Sequence, residues 1–122
     1  MRKTFDKTPI AVWNKSPQRD FLYTKDAAEA ITKLLFTDYV GNINLGSGKL
    51  RSVKDVCKII SKLSNKPIKD LKKTVNGQEK FVFDISFINQ LTGWEPKHSL
   101  ENGLKATYER MKLWASFFAK NK

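Results

Sequence analysis

A small α/β fold is predicted by three observations. Short apolar, β-prone runs alternate with amphipathic stretches of helical period, turn residues separate the two, and no repeat or Pro/Gly-rich linker divides the chain. Its 122 residues fit one domain, residues 1–122. Pro9-Ile10-Ala11-Val12-Trp13 reads as the first strand, and a turn over residues 14–17 leads to a second extended segment, Arg19-Asp20-Phe21-Leu22-Tyr23. Thr24 is placed to cap a helix over about residues 25–37, in which Ala27, Ala30, Ile31, Leu34 and Leu35 recur at spacings of three and four. Asn42-Ile43-Asn44-Leu45 reads as a short buried strand entering the Gly46-Ser47-Gly48 turn.

Ser52 and Asp55 form a capping box. The helix behind it, about residues 53–63, buries Val53, Val56, Cys57, Ile60 and Leu63. A Lys-rich connection with Pro67 and Gly77 follows, then a strand at Phe81-Val82-Phe83. Asp84 caps a short helix through Leu91 that Gly93 stops, and Ser99 caps a last helix over about residues 100–118. The expected order is β-β-α-β-α-β-α-α, about four helices with short strands and no strand–GxGxxG–helix unit.

Composition narrows the function. Hydrophobic residues at 40% and aromatics at 11% are too many for a disordered tail. No run approaches the roughly 20 apolar residues a bilayer needs, and no charged-then-apolar leader opens the chain, so a cytoplasmic protein without membrane contact is expected. One cysteine, Cys57, and one histidine, His98, exclude an intramolecular disulfide and any Cys- or His-rich metal site. The net charge of +11 raises nucleic acid as a partner. However, 19 of the 23 basic residues are lysines, spread as in Lys54, Lys58 and Lys62, and only Arg2, Arg19, Arg51 and Arg110 carry a guanidinium. Base readout favours arginine, so nucleic acid is disfavoured.

Two motifs are decoys. Gly46-Ser47-Gly48-Lys49 lacks the first glycine and the final Ser/Thr of a Walker A loop, whose places hold Ile43 and Leu50. Tyr108 and Lys112 have the Tyr-x-x-x-Lys spacing of a dehydrogenase pair but lie in the terminal amphipathic helix. Cys57 falls on the apolar stripe of its helix and is expected to be buried and inert. His98, with no partner implied nearby, reads as a surface or turn residue. Arg19 is the most informative residue. Asp20 is placed to fix its guanidinium, and Phe21 and Tyr23 to line a cleft, a combination suited to a phosphate or pyrophosphate.

Several blocks, in order, resemble the C-terminal region of the extended short-chain dehydrogenases/reductases, the NAD(P)-dependent nucleotide-sugar epimerases and dehydratases. They are Ile10-Ala11-Val12-Trp13, Arg19-Asp20-Phe21-Leu22-Tyr23, Asp26-Ala27-Ala28-Glu29-Ala30, Asn42-Ile43-Asn44-Leu45-Gly46-Ser47-Gly48, Ser52-Val53, Asp84-Ile85-Ser86, Leu91-Thr92-Gly93-Trp94-Glu95-Pro96 and Ser99-Leu100-Glu101-Asn102-Gly103-Leu104. The resemblance spans about residues 10–112 and implies a substrate-binding lobe without a complete Rossmann domain. The dinucleotide fingerprint and catalytic Tyr/Lys pair would lie upstream of Met1, so the chain is expected to be truncated and inactive alone, binding neither NAD nor NADP.

By the same resemblance Arg19 matches a pyrophosphate-binding arginine, Phe21 an aromatic against the nucleotide, and Val53 a position near the base. A second phosphate-binding arginine, about ten residues before Asp84, is here Thr74. Lys72 and Lys73 precede it as possible point charges. The implied partners are a nucleoside-diphosphate sugar and a Rossmann domain, with self-association through the face such a domain would cover. A small basic interaction or nucleic-acid-binding module is the alternative. Abundant Lys and Asn fit an AT-rich bacterial gene.

Overall fold

The computed structural model describes residue 5, residues 9–74 and residues 77–120, apart from the side chains of 118–120. Among the described residues four strands and four helices follow in the order β1 (Ile10–Val12), β2 (Gln18–Asp20), α1 (Thr24–Leu34), β3 (Leu50–Ser52), α2 (Val53–Ser64), β4 (Ile68–Asp70), α3 (Ser86–Thr92) and α4 (Leu100–Lys120). The strands form two separate two-stranded sheets. β1 runs parallel to β4, with Ile10 opposite Ile68, and β2 runs antiparallel to β3, with Arg19 opposite Arg51.

Several helix signals act where the sequence puts them, while Asp84, one residue before the Ile85 N-cap of α3, accepts from Ser86 N at 2.9 Å. Ser52 Oγ accepts from Asp55 N at 3.1 Å while Asp55 Oδ2 accepts from Ser52 N at 3.1 Å, closing the capping box of α2. Ser52 Oγ also donates to Asp55 Oδ2 at 2.7 Å, and this bond, with that from Ser52 N, holds the Asp55 carboxyl below its usual range. Asn65, at φ 53°, ends α2 in the left-handed conformation, and Gly93, at φ 63°, does the same for α3. Ser99 Oγ accepts from Asn102 N at 3.1 Å at the start of α4.

Four expectations are corrected. Asn42–Leu45 is not a strand: Ile43 and Leu45 pack on the core through side chains, and β3, five residues later, takes the ladder with β2. Phe81–Phe83 is not a strand either. Its backbone meets the β2 backbone near Gln18, where Phe81 N donates to the Gln18 carbonyl at 3.2 Å, and its two rings pack edge to face. The strand falls instead at β4, inside the lysine-rich connection. Thr24 does not cap α1: Tyr23 occupies that position without a side-chain bond, and its carbonyl accepts from Ala27 N at 3.1 Å.

The core is small. Ala30 of α1, Ile88 of α3 and Trp94 are fully buried, with Leu22, Leu34, Ile43, Leu45 and Ile85 packed around them. α1 lies against α3, and α2 against α4 and β3. Cys57 is buried on α2, as its place on the apolar stripe requires, and burial pushes its thiol pKa up. Large apolar side chains remain exposed elsewhere, including Leu35, Phe36 and Val40 after α1 and Leu113 on α4. Among the described residues no helix is long and apolar enough to cross a membrane.

Candidate functional site

Arg19 sits in the middle of β2, half-buried. Its Nη1 donates to the carbonyls of Gln18 at 2.8 Å and Glu79 at 3.1 Å, which fixes the guanidinium against the chain that follows β4. Asp20, the adjacent acid expected to hold it, does not. Successive residues of a strand point to opposite faces, so Asp20 turns away from Arg19. Its carboxylate accepts from Ser47 N at 2.6 Å, Ser47 Oγ, Gly48 N at 3.0 Å and Phe83 N at 3.3 Å. Gly46 makes this convergence possible: a Cβ there would come within 2.5 Å of Asp20 Oδ2 and 2.9 Å of the Phe83 side chain.

Phe21, two residues beyond Arg19, lines a cleft of about 260 Å³ with Ser47, Lys49, Arg51, Lys97 and His98 among its other walls. Val53 opens α2 directly after β3, and its N–H donates to the Pro17 carbonyl at 2.9 Å. Arg19, Phe21 and Val53 therefore belong to one β2–β3–α2 unit.

Lys72 and Lys73 belong to the other sheet. They follow β4, where Lys72 adopts φ 51° and donates its N–H to Asp70 Oδ1 at 2.9 Å. Lys73 N donates to the Trp13 carbonyl at 2.7 Å, and its Nζ stands 5.6 Å from the Trp13 ring centroid. Neither lysine lines the cleft that Phe21 lines.

His98 is exposed, as expected, but it is not without a partner. Its Nδ1 lies 2.7 Å from Asp26 Oδ1, and its N–H donates to Asp26 Oδ2 at 3.0 Å. Its ring also packs 4.8 Å from that of Tyr23. Asp26 is 1% exposed. Burial pushes its carboxyl pKa up, but the His98 hydrogen bonds and charge outweigh burial and leave it lowered. One signal pointed to Asp26: it lies four residues before buried Ala30, so a carboxylate faces the core and requires donors. The donors themselves, 72 residues away, left no local mark. Lys97, next to His98, pairs with Glu29 at 2.7 Å, so two adjacent residues tie the approach to α4 onto α1.

Among the described residues no group of three or more His, Cys, Asp and Glu could hold a metal ion. The Gly46–Ser47–Gly48 turn does not fit a dinucleotide pyrophosphate, because the amides of Ser47 and Gly48 are spent on Asp20. Tyr108 stacks on Phe5, with ring centroids 5.0 Å apart, rather than joining a catalytic arrangement with Lys112.

No protein-family model matches the chain. Individual proteins do. "Probable GDP-L-fucose synthase 1" of Oryza sativa subsp. japonica is 31% identical over 113 residues, which is 88% of this chain and 34% of that protein. UDP-glucuronic acid decarboxylase 2 of Arabidopsis thaliana is 31% identical over 80% of this chain and 23% of its own length. The crystal structure of a Y149F UDP-glucuronic acid 4-epimerase from Bacillus cereus, in complex with NAD and a UDP-sugar analogue, superposes with a TM-score of 0.79 at 26% identity. It covers 93% of this chain and 38% of that one. The chain thus spans about a third, or less, of the relatives it matches. Sequence and fold together make it a homologue of the extended short-chain dehydrogenases/reductases, the NAD-dependent epimerase/dehydratase family, matching a part of such an enzyme.

Proposed function

We propose that this chain is the part of an NAD(P)-dependent nucleotide-sugar epimerase or dehydratase that grips the substrate's diphosphate, and that it is catalytically incomplete alone. Arg19 carries the reading. Its guanidinium has five N–H donors in a planar fork, and tethering Nη1 to two carbonyls orients the remaining edge without neutralising the charge. Phe21 supplies an aromatic wall against the nucleotide, Val53 an apolar one near the base, and Lys72 and Lys73 add positive charge from the neighbouring sheet. The sugar chemistry and the NAD or NADP belong to a Rossmann domain, for whose contact the exposed Leu35, Phe36 and Val40 offer apolar surface; with none present the same surface drives self-association. A cytoplasmic setting suits the single buried cysteine.

The test is a thermal-shift screen with UDP, GDP, dTDP and CDP, repeated with Arg19→Ala. One nucleotide should raise the melting temperature by several degrees more than the rest, and the variant should lose at least tenfold in affinity for it. Equal, salt-sensitive shifts with all four, unchanged in the variant, would reduce the reading to nonspecific anion binding.

A second reading, a basic interaction module that takes a polyanion, rests on a different surface. Lys54, Lys58 and Lys62 of α2, with Lys15, line a cleft of about 550 Å³. Charges at i, i+4 and i+8 stack along one helix face and repel one another, which an anionic partner relieves. Under this reading DNA binds and its affinity falls steeply with salt.

A further inference from the structure

The resemblance implies two phosphate-binding arginines, and the second place is held by Thr74, which has no charge. The β2–β3 ladder supplies another candidate. Its register sets Arg19 opposite Arg51. Residues directly opposite in an antiparallel pair share one face with Cβ atoms about 5 Å apart, and like charges so placed are destabilising. Along the same face, Phe21 follows Arg19 and Lys49 precedes Arg51. Phe21, Lys49 and Arg51 line one cleft, while Arg19, its Nη1 held on the Glu79 carbonyl, borders it without lining it.

The neighbouring carboxylates do not neutralise this face. Asp20 points to the other side and is occupied by the Gly46–Gly48 loop, Glu29 is taken by Lys97, Asp26 by His98, and Asp55, the carboxylate that the Arg51 charge reaches, by the Ser52 capping box. Among the described residues neither Arg19 nor Arg51 lies in an ion pair. Arg51 is exposed, so the repulsion is easily tolerated in water, but both guanidiniums lose solvent if a ligand covers them. A dianionic group lying across the ladder removes that cost and uses two forks at once.

We infer that Arg51 is the second guanidinium of the diphosphate clamp, engaging from β3 the group that Arg19 engages from β2. The inference rests on the proposed function, since it assigns a residue to the same substrate. It also leaves Lys73 outside the clamp, with its ammonium stationed over Trp13 on the other sheet.

Calorimetric titration of the full 122-residue chain with UDP, GDP, UMP and inorganic pyrophosphate, at fixed ionic strength, tests it. Arg51→Ala should weaken the preferred diphosphate and pyrophosphate at least tenfold and the monophosphate less than threefold. Arg51→Lys should restore only part of the loss, because an ammonium lacks the fork. Lys105→Ala, which removes one charge from an exposed site on α4, should stay within twofold of the wild type and sets the size of a general charge effect. Unchanged melting of Arg51→Ala would show that it folds. If Arg51→Ala matches Lys105→Ala while Arg19→Ala loses tenfold, the assignment of Arg51 falls and the diphosphate reading stands. If the wild type binds none of the four ligands, both fall.

Discussion

The two small sheets are held in different ways. The β2–β3 sheet is fastened by a carboxylate on its strand: Asp20 draws in the 46–48 loop and the backbone at Phe83. A second carboxylate, Asp26, ties the start of α1 to the approach to α4. The β1–β4 sheet has three facing pairs and two single-ammonium contacts: Lys73 over a Trp13 that is 64% exposed, and a half-buried Lys15 Nζ on the Ile68 carbonyl. A carboxylate that gathers several backbone donors fixes the loops around it, whereas a single ammonium over a ring or on one carbonyl holds a strand without dictating where side chains point. The side chains proposed to meet the diphosphate edge-on, Arg19 and Phe21, stand on the rigid sheet. Lys72 and Lys73, which act only as charges, stand beside the looser one.

The contrast can be broken most forcefully at Asp20. Asp20→Ala leaves four donors without their acceptor and should cost about 3–4 kcal/mol in urea unfolding, since each bond to a charged group contributes about 1.5–3 kcal/mol but the losses are not additive. It should also release the 46–48 loop, visible as faster amide exchange at Ser47 and Gly48.

Asp26→Asn should cost about 2–3 kcal/mol at neutral pH by weakening both bonds to His98. Its pH dependence sharpens the point. The native carboxyl is held below its ordinary value of 3.8, so its contribution is complete above that value and is lost as pH falls through the lower, folded value. The wild type should therefore lose stability more steeply below about pH 4 than Asp26→Asn, and the two curves should converge in acid. Parallel curves down to the acid limit would mean that the carboxyl is not depressed.

Trp13→Ala, on the looser sheet, should cost no more than about 1 kcal/mol, the range of an exposed cation–π contact. Diphosphate affinity should change less than twofold.

The same division separates what could be read in advance from what could not. Ser52 with Asp55 and Gly93 acted as expected because each works through neighbours within one turn of helix, and Cys57 because its place on the apolar stripe sets which face of α2 is buried. β4 was hidden because Ile68-Lys69-Asp70 has no run of apolar residues; its pairing comes from β1, far back in the chain. The partners of Asp20 lie 27, 28 and 63 residues away, and an adjacent acid in the sequence looked like a partner for Arg19 only until strand alternation turned it aside. Arg19 and Phe21 were legible through resemblance to a family. Arg51 was not, because its relevance depends on a register that periodicity alone does not specify.

The parallel pairing of β1 with β4 also sets an order of events. Ile10 meets Ile68 across 58 residues, and the span between them contains β2, α1, β3 and α2. Parallel neighbours cannot be joined by a tight hairpin, so this pairing waits until the intervening chain has been shortened by folding. The β2–β3 ladder closes a smaller loop, and the helices form from local contacts. Loop closure therefore sets the expected order: the β2–β3 ladder before the β1–β4 pairing, which stopped-flow refolding of Arg19- and Ile10-site variants would read as early and late contacts.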